Sequence, residues 1–346
     1  MKKANWKLSD FDYYLPKELI AQYPSPNRDQ ARLLVLERAR NILTHRQFSD
    51  IVDYLSSGDT LVLNDTKVVP ARMIGRREQF SPDQGGGKQE IFLLAQLDNN
   101  RYQVLARPAG KLSVGAKIFF DEDDVSALVL SDQGMSKVIE FSANGRAQNI
   151  WQRLGQVPLP PYIKREPQML DKKRYQTVYA RSSGATAAPT AGLHFTKKIL
   201  RALAAKGVNI VYLTLHINYG TFQPVKCADI TQHKMHREYF VLPRKTLDTV
   251  QATKARGNKV FAVGTTSVRV LETCAQAKEG WTDLFIYPPY KFKVVDSLFT
   301  NFHFPKSTLL MLVSAFAGKE LLFKAYQEAI ARRYRFFSYG DCMLIL

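Results

Sequence analysis

Six histidines occur in 346 residues, and five of them fall after residue 190: His194, His216, His233, His236 and His303. Imidazole exchanges a proton near neutral pH, so their gathering in one half of the chain points to a shared acid–base site. His194 closes the stretch Gly184-Ala-Thr-Ala-Ala-Pro-Thr-Ala-Gly-Leu-His-Phe195. Its glycines, proline and threonines let the backbone turn tightly and approach a ligand, although a buried crossover would use the same residues. His216 opens His216-Ile-Asn-Tyr-Gly-Thr-Phe-Gln-Pro224 after an apolar run, and His303 lies in Asn301-Phe-His-Phe-Pro-Lys-Ser-Thr308. Gly264-Thr-Thr-Ser267 follows the apolar Val260–Val263, with Arg269 one turn on. Those amides, hydroxyls and the guanidinium suit a carboxylate or phosphate, where plain helix capping is the simpler use. Asn64-Asp-Thr-Lys67 ends another apolar run, and Arg72 comes shortly after. His233-x-x-His236 has metal-like spacing, but Glu238 is not in H-E-x-x-H order and no third ligand is positioned, so no metal is expected.

Those residues need a scaffold. Arg32–Glu37, Thr60–Leu63, Val208–Leu215, Val260–Val263 and Asp283–Tyr287 read as strands. Short helices are expected after Pro16 and over His45–Leu55, and longer ones over Lys197–Lys206 and Lys245–Arg256. A helix from Gly264 to about Lys278 and two closing helices, Ser307–Phe316 and Lys319–Tyr334, complete the set. Strands alternating with helices predict an α/β sheet whose polar strand ends gather ligand groups at one edge. Between residues 71 and 150 the texture changes. Ile91–Leu94, Tyr102–Leu105, Ile118–Phe120, Val125–Leu130 and Lys137–Phe141 are short strand-like runs, as in a small barrel or sandwich. Gly85-Gly-Gly-Lys88 lacks the spacing of a phosphate-binding loop and reads as a hairpin tip. The expected organisation is a mixed α/β domain from residues 1–70 and 151–346, with an inserted β-barrel domain over 71–150.

The chain carries 49 Lys+Arg against 31 Asp+Glu, a net charge of +18. Such an excess favours a polyanionic partner, nucleic acid first. Tyr290, Lys291 and Lys293, in Tyr287-Pro-Pro-Tyr-Lys-Phe-Lys293, interleave aromatics with cations, which suits base stacking and phosphate contact. Cys227, Cys274 and Cys342 lie far apart, so neither a disulfide framework nor a zinc knuckle is indicated. No apolar run is long enough to cross a membrane and no secretory leader is evident, so a cytoplasmic protein is expected.

Seven stretches together resemble the S-adenosylmethionine:tRNA ribosyltransferase-isomerase family of queuosine biosynthesis. They are Leu63–Arg72, Gly184–Phe195, Tyr219–Val225, His233–Glu238, Val263–Arg269, Thr300–Phe316 and Tyr334–Asp341, in order over nearly the whole chain. Departures are small: Thr186 where Val is expected, Asn218-Tyr219 for a smaller pair, and Pro289 for Gly between two tyrosines.

The resemblance implies a mixed α/β body with an inserted small β-barrel. It also implies transfer and isomerisation of the ribosyl part of S-adenosylmethionine onto 7-aminomethyl-7-deazaguanine at the tRNA wobble position. The products are epoxyqueuosine, adenine and methionine. S-adenosylmethionine is then a consumed co-substrate and no further cofactor is needed. That chemistry wants a base, an acid and donors for an alkoxide. His194 and His216 lead as acid–base candidates, with Asp65 and His303 behind. Thr265, Thr266 and Arg269 are expected to hold the methionine carboxylate. Asn64, Thr190, Gly220, Thr221, Asn301 and Ser307 are expected to line the pocket. Arg72, Tyr290, Lys291, Lys293 and Lys306 are expected to face tRNA. A monomer without an obligate protein partner is expected. Another S-adenosylmethionine-dependent tRNA-modifying enzyme, such as a methyltransferase, or a non-catalytic tRNA-binding protein are the alternatives; the absence of a G-x-G-x-x-G pattern counts against the methyltransferase.

Overall fold

A computed structural model describes residues 6–78, 86–120, 125–134, 136–142, 150–217, 225, 227–274, 276 and 278–346. Two compact units emerge. One holds the chain up to Lys67 with Pro160–Glu166 and Lys172–Leu346; the other holds Val68–Leu159 with Pro167–Asp171. The second therefore runs wider than the 71–150 stretch read from strand texture.

In chain order the strands are β1 (Arg32–Glu37), β2 (Ile42–Gln47), β3 (Thr60–Asn64), β4 (Thr66–Val68), β5 (Arg72–Arg77), β6 (Lys88–Gln96), β7 (Arg101–Arg107), β8 (Lys117–Phe119), β9 (Ser126–Gln133) and β10 (Ser136–Ser142). They continue with β11 (Ser182–Ala185), β12 (Asn209–Leu215), β13 (Glu238–Leu242), β14 (Val260–Val263), β15 (Lys278–Thr282), β16 (Ser297–Asn301) and β17 (Cys342–Ile345). The first unit is built on a nine-stranded sheet, in the order β15-β13-β12-β3-β14-β16-β17-β1-β2 among the described residues. Its middle, β12-β3-β14-β16, is parallel. All five residues of β3, all four of β14 and all four of β17 are buried, as covering both faces of a sheet requires.

Helices cover those faces for local reasons. The helix α3 (Lys197–Ala205) starts where Thr196 Oγ1 accepts the Ile199 amide at 3.2 Å, and it turns Ile199 and Leu203 inward. Helices α4 (Arg244–Ala255) and α5 (Gly264–Thr273) flank β14, and α5 begins on Gly264 at φ +83°, a backbone conformation that disfavours a side chain. The apolar α6 (Thr308–Ala317) and α7 (Lys319–Ala331) close the sheet.

Three expectations change. His45 sits in β2, because Ile42–Gln47 pairs antiparallel with β1; only Phe48–Tyr54 coils, as a 3-10 helix. The turn after Pro16 is likewise a 3-10 turn, Lys17–Leu19. The helix from Gly264 stops at Thr273, and the strand that follows is Lys278–Thr282, not Asp283–Tyr287, because residues 278–282 zip onto β13.

The second unit is a closed barrel, β10-β7-β6-β5-β8-β9. Alternate residues point inward, as in β7 where Tyr102, Val104 and Ala106 are buried, and Trp151 packs edge-on against Tyr102 and Phe141. Of the expected hairpin tip, Gly85 lies outside the described residues. Closure demands a close approach at β5: a methyl built on Gly75 would stand 2.6 Å from both the Phe119 carbonyl oxygen and Ile118 Cγ2. Gly75→Ala should therefore pry β5 from β8 and lower the unfolding free energy by about 1–3 kcal/mol. Denaturant titration would test this, and parental stability would refute the close-packing account.

Candidate active site

The parallel strands end together at one edge, and β3 sets the arrangement there. Asn64 Oδ1 accepts the amides of Leu215 at 3.0 Å and Thr66 at 3.1 Å. Its Nδ2 donates to the Leu215 carbonyl at 3.0 Å and to Thr266 Oγ1 at 3.3 Å. One side chain thus joins the ends of β3, β12 and α5. Asp65, next along, is buried: Thr214 Oγ1 donates to it at 2.6 Å, and Arg181 Nε at 2.6 Å. The Asp65 carbonyl also accepts the amides of Arg181 at 2.9 Å and Ser182 at 3.2 Å.

His216 stands just past β12. Its Nδ1 lies 2.8 Å from Thr66 Oγ1, and that hydroxyl donates to the Ser182 carbonyl at 3.4 Å. With the hydroxyl proton so directed, Thr66 accepts Nδ1–H, which leaves the Nε2 lone pair as the basic site. The ring lies parallel to Tyr239, 6.1 Å between centroids. Gly184 passes beneath: a methyl there would come within 2.8–2.9 Å of three ring atoms. Burial pushes the His216 pKa below the ordinary imidazole value, and the Asp65 charge opposes that shift. The imidazole is therefore neutral at physiological pH.

His194 is held differently. Its Nε2 faces Asn301 Nδ2 at 3.1 Å. Asn301 Oδ1 accepts from Thr190 Oγ1 at 3.0 Å, and Nδ2 also reaches the Phe337 and Asp341 carbonyls. Arg28 donates to the Leu193 carbonyl at 2.9 Å. Burial, helped by the Arg28 charge, lowers the His194 pKa to about 3. His194 Nε2 is thus tied to a buried amide at the end of β16. The 190–194 turn adjoins the first cluster, since Gly264 fits between Ala191 and Thr266.

Other expected residues lie elsewhere or are engaged. His303 contacts Thr300 Oγ1 at 2.8 Å and is buried beside Tyr326; alternation along β16 turns Thr300 away from the face that carries Asn301. Burial takes its pKa to about 3. Ser307 caps α6, accepting the Leu310 amide at 3.2 Å. Thr265 is buried in the first turn of α5, beside Thr266. Arg72 belongs to the barrel, where it bonds Glu90 and Gln156 Oε1. Lys306 pairs with Asp12 at 2.7 Å. Lys291 and Lys293 are exposed, on a loop tied down where Glu272 accepts the amides of residues 293–295 at 2.9–3.1 Å. Burial and Glu272 raise the Tyr290 pKa. Asn218, Tyr219, Gly220 and Thr221 lie outside the described residues. Thr66, Arg181, Thr214 and Gly184 went unassigned in the sequence. Thr66 and Gly184 lay within stretches singled out there, and Thr214 left a trace as a hydroxyl inside an apolar run.

Arg269 is the clearest correction. Its guanidinium is buried against Glu238 and donates to the carbonyls of Leu284 at 3.1 Å and Thr282 at 3.2 Å. It fastens β15 to α5 and does not reach the β3 cluster. Glu238→Ala should cost about 3–5 kcal/mol, because it strands a buried cation. Glu238→Leu with Arg269→Met should recover most of that in denaturant melts. The double variant should also keep parental affinity for S-adenosylmethionine; loss of that affinity in a folded double variant would return Arg269 to the site.

A model of the queuosine biosynthesis protein family matches residues 8–345. The S-adenosylmethionine:tRNA ribosyltransferase-isomerase of Sulfurihydrogenibium sp. (strain YO3AOP1) is 51% identical over 342 residues, covering 98% of this chain and 100% of its own. The protein of the same name from Symbiobacterium thermophilum is 52% identical over 348 residues, covering 98% and 100%. The crystal structure of the S-adenosylmethionine tRNA ribosyltransferase of Thermotoga maritima, at 39% identity, covers 97% of this chain and all of its own with a TM-score of 0.55. A sheet whose polar strand ends gather at one edge, a six-stranded barrel beside it in sequence, and relatives matched end to end place the chain in the queuosine biosynthesis protein family.

Proposed function

We propose that the chain is an S-adenosylmethionine:tRNA ribosyltransferase-isomerase. It moves the ribosyl group of S-adenosylmethionine onto 7-aminomethyl-7-deazaguanine at the tRNA wobble position and closes it to the epoxycyclopentane of epoxyqueuosine. Adenine and methionine leave. No further cofactor enters this reading, and the enzyme works in the cytoplasm as a monomer. The observation that carries it is the His216–Thr66–Asp65 cluster at the end of the parallel strands, in a chain whose relatives bear that name.

The chemistry follows from the sulfonium, which acidifies the ribose 5′ carbon. His216 Nε2, neutral and free of Thr66, takes that proton. The C5′ carbanion expels O4′ from C4′ to give a vinyl sulfonium, and the freed O4′ collapses on C1′ to an aldehyde as adenine departs with a proton returned from the imidazolium. The amine of the modified base adds to the vinyl carbon, and the resulting ylide closes on the aldehyde. The alkoxide formed then displaces methionine to give the epoxide. Asp65 steadies the imidazolium formed in the first step, and Asn64 holds both groups in register. Thr265, Thr266, Thr190 and Asn301 line the adjoining space. The net charge of +18 supports a tRNA partner, with Lys291 and Lys293 exposed for phosphate contact.

The direct test supplies tRNA bearing the aminomethyl-deazaguanine with S-adenosylmethionine labelled separately in ribose and methyl. Ribose label in tRNA with free adenine and methionine is expected; methyl label in tRNA would overturn the reading. His216→Gln should lower turnover by about 10²–10⁴-fold with S-adenosylmethionine binding retained. Because the base must be unprotonated and burial lowers its pKa, kcat/KM should rise with pH below the ordinary imidazole range and be flat by pH 7. Removing the opposing charge with Asp65→Asn should move that limb lower still. A limb that moves upward, or full activity in His216→Gln, would exclude His216 as the base.

A further inference from the structure

A second polar locus adjoins the 190–194 turn. A small, open cleft lies there, lined by Ser25, Arg28, Arg174 and His194 among others. Arg28 donates to the carbonyls of Leu193 and Lys173, both at 2.9 Å. Arg174 donates to those of Pro26 at 2.8 Å and Ser25 at 2.6 Å. Behind Ser25, Arg335 Nη1 donates to its hydroxyl at 2.8 Å. Neutral oxygens thus hold all three guanidiniums, and among the described residues no carboxylate is hydrogen-bonded to any of these side chains. Asp341, whose charge acts on Arg335, is bonded to Arg32 and to the Arg335 amide. Burial and the Arg174 charge lower the Arg28 pKa to about 10, as crowded cations without a counter-charge require. Arg174 Nε, Thr177 Oγ1 and Tyr179 Oη are buried without a protein partner. The last two press on Gly192, two residues before His194.

Concentrated positive charge in a small concave site calls for a compact anion. Pro24 and Leu193 add apolar walls, which fit methylene groups beside that anion. A polynucleotide backbone would instead need an extended open groove. We propose that this cleft holds the carboxylate of the methionyl end of S-adenosylmethionine, with Arg28 and Arg174 as its cationic partners. This rests on the reading of the chain as an enzyme that consumes S-adenosylmethionine. It gives to Arg28 the task expected of Arg269, whose guanidinium is engaged by Glu238. It also gives the Arg28 bonds to the Leu193 and Lys173 carbonyls a purpose, since they fix the guanidinium before the ligand arrives.

The test compares S-adenosylmethionine with its decarboxylated analogue on the full-length protein by calorimetry, beside the ribosyl-transfer assay. The parent should bind S-adenosylmethionine at least about tenfold more tightly than the analogue, the ratio expected of one charge-assisted contact. In Arg28→Gln and Arg174→Gln that ratio should fall towards one, while tRNA affinity stays at the parental level. Arg28 also braces Leu193, so if its variant does not fold, the parent's ratio and Arg174→Gln carry the test. Equal binding of the two ligands by the parent would overturn the proposal. So would variants that keep the ratio, or variants that lose tRNA affinity alone. Ribosyl transfer from the analogue as fast as from S-adenosylmethionine would overturn the cleft and leave the function standing. Discriminating binding without ribosyl transfer would do the reverse.

Discussion

Asn64 is the constraint from which the site follows. Backbone pairing between β3 and β12 ends at the Leu213–Asn64 register, yet the side-chain amide of Asn64 then bonds both the N–H and the C=O of Leu215. It imitates one more peptide unit, so the two strands stay bound while the β3 backbone leaves the sheet. The released backbone at Asp65 and Thr66 turns to meet Ser182, and it brings a carboxylate and a hydroxyl to β12's last residues. An aspartate or leucine at position 64 could not supply donor and acceptor together.

How much of this was legible follows from the same logic. Continuous apolar runs announced the buried strands, because a parallel strand covered on both faces has no polar side to show. The barrel or a sandwich was visible in its succession of short strand-like runs. His216 was visible because it ends an apolar run. Gly184 as the floor under its ring was not, since no local pattern encodes which glycine a distant side chain will press upon. Arg269 misled for a related reason. One turn into a helix that opens at a strand end, it looks aimed at the ligand edge, but its partner Glu238 is 31 residues back with no spacing to betray the pair. His45–Leu55 failed because the pairing of β2 with β1 overrode local preference.

The two histidine environments show burial acting on one side chain in two settings. Both imidazoles are neutral. His216 Nε2 has no hydrogen-bond partner among the described residues and a carboxylate lies near enough to favour the charged form, whereas His194 Nε2 is bonded to Asn301 and a guanidinium charge nearby disfavours its charged form.

The position of β17 has a bearing on how the molecule forms. Among the described residues the β1–β2 hairpin pairs with the rest of the sheet through β17, and its contacts there span a separation of 309 residues, as between Arg32 and Asp341. Closing so long a loop loses entropy before any contact is gained. By that argument the hairpin, a local pair, forms ahead of its docking, which waits for β17. Throughout that interval Leu34 and Leu36, fully buried in the finished sheet, face water on an unpaired edge. The hazard of self-association is therefore written into the strand order, and it is greatest early in the life of each molecule.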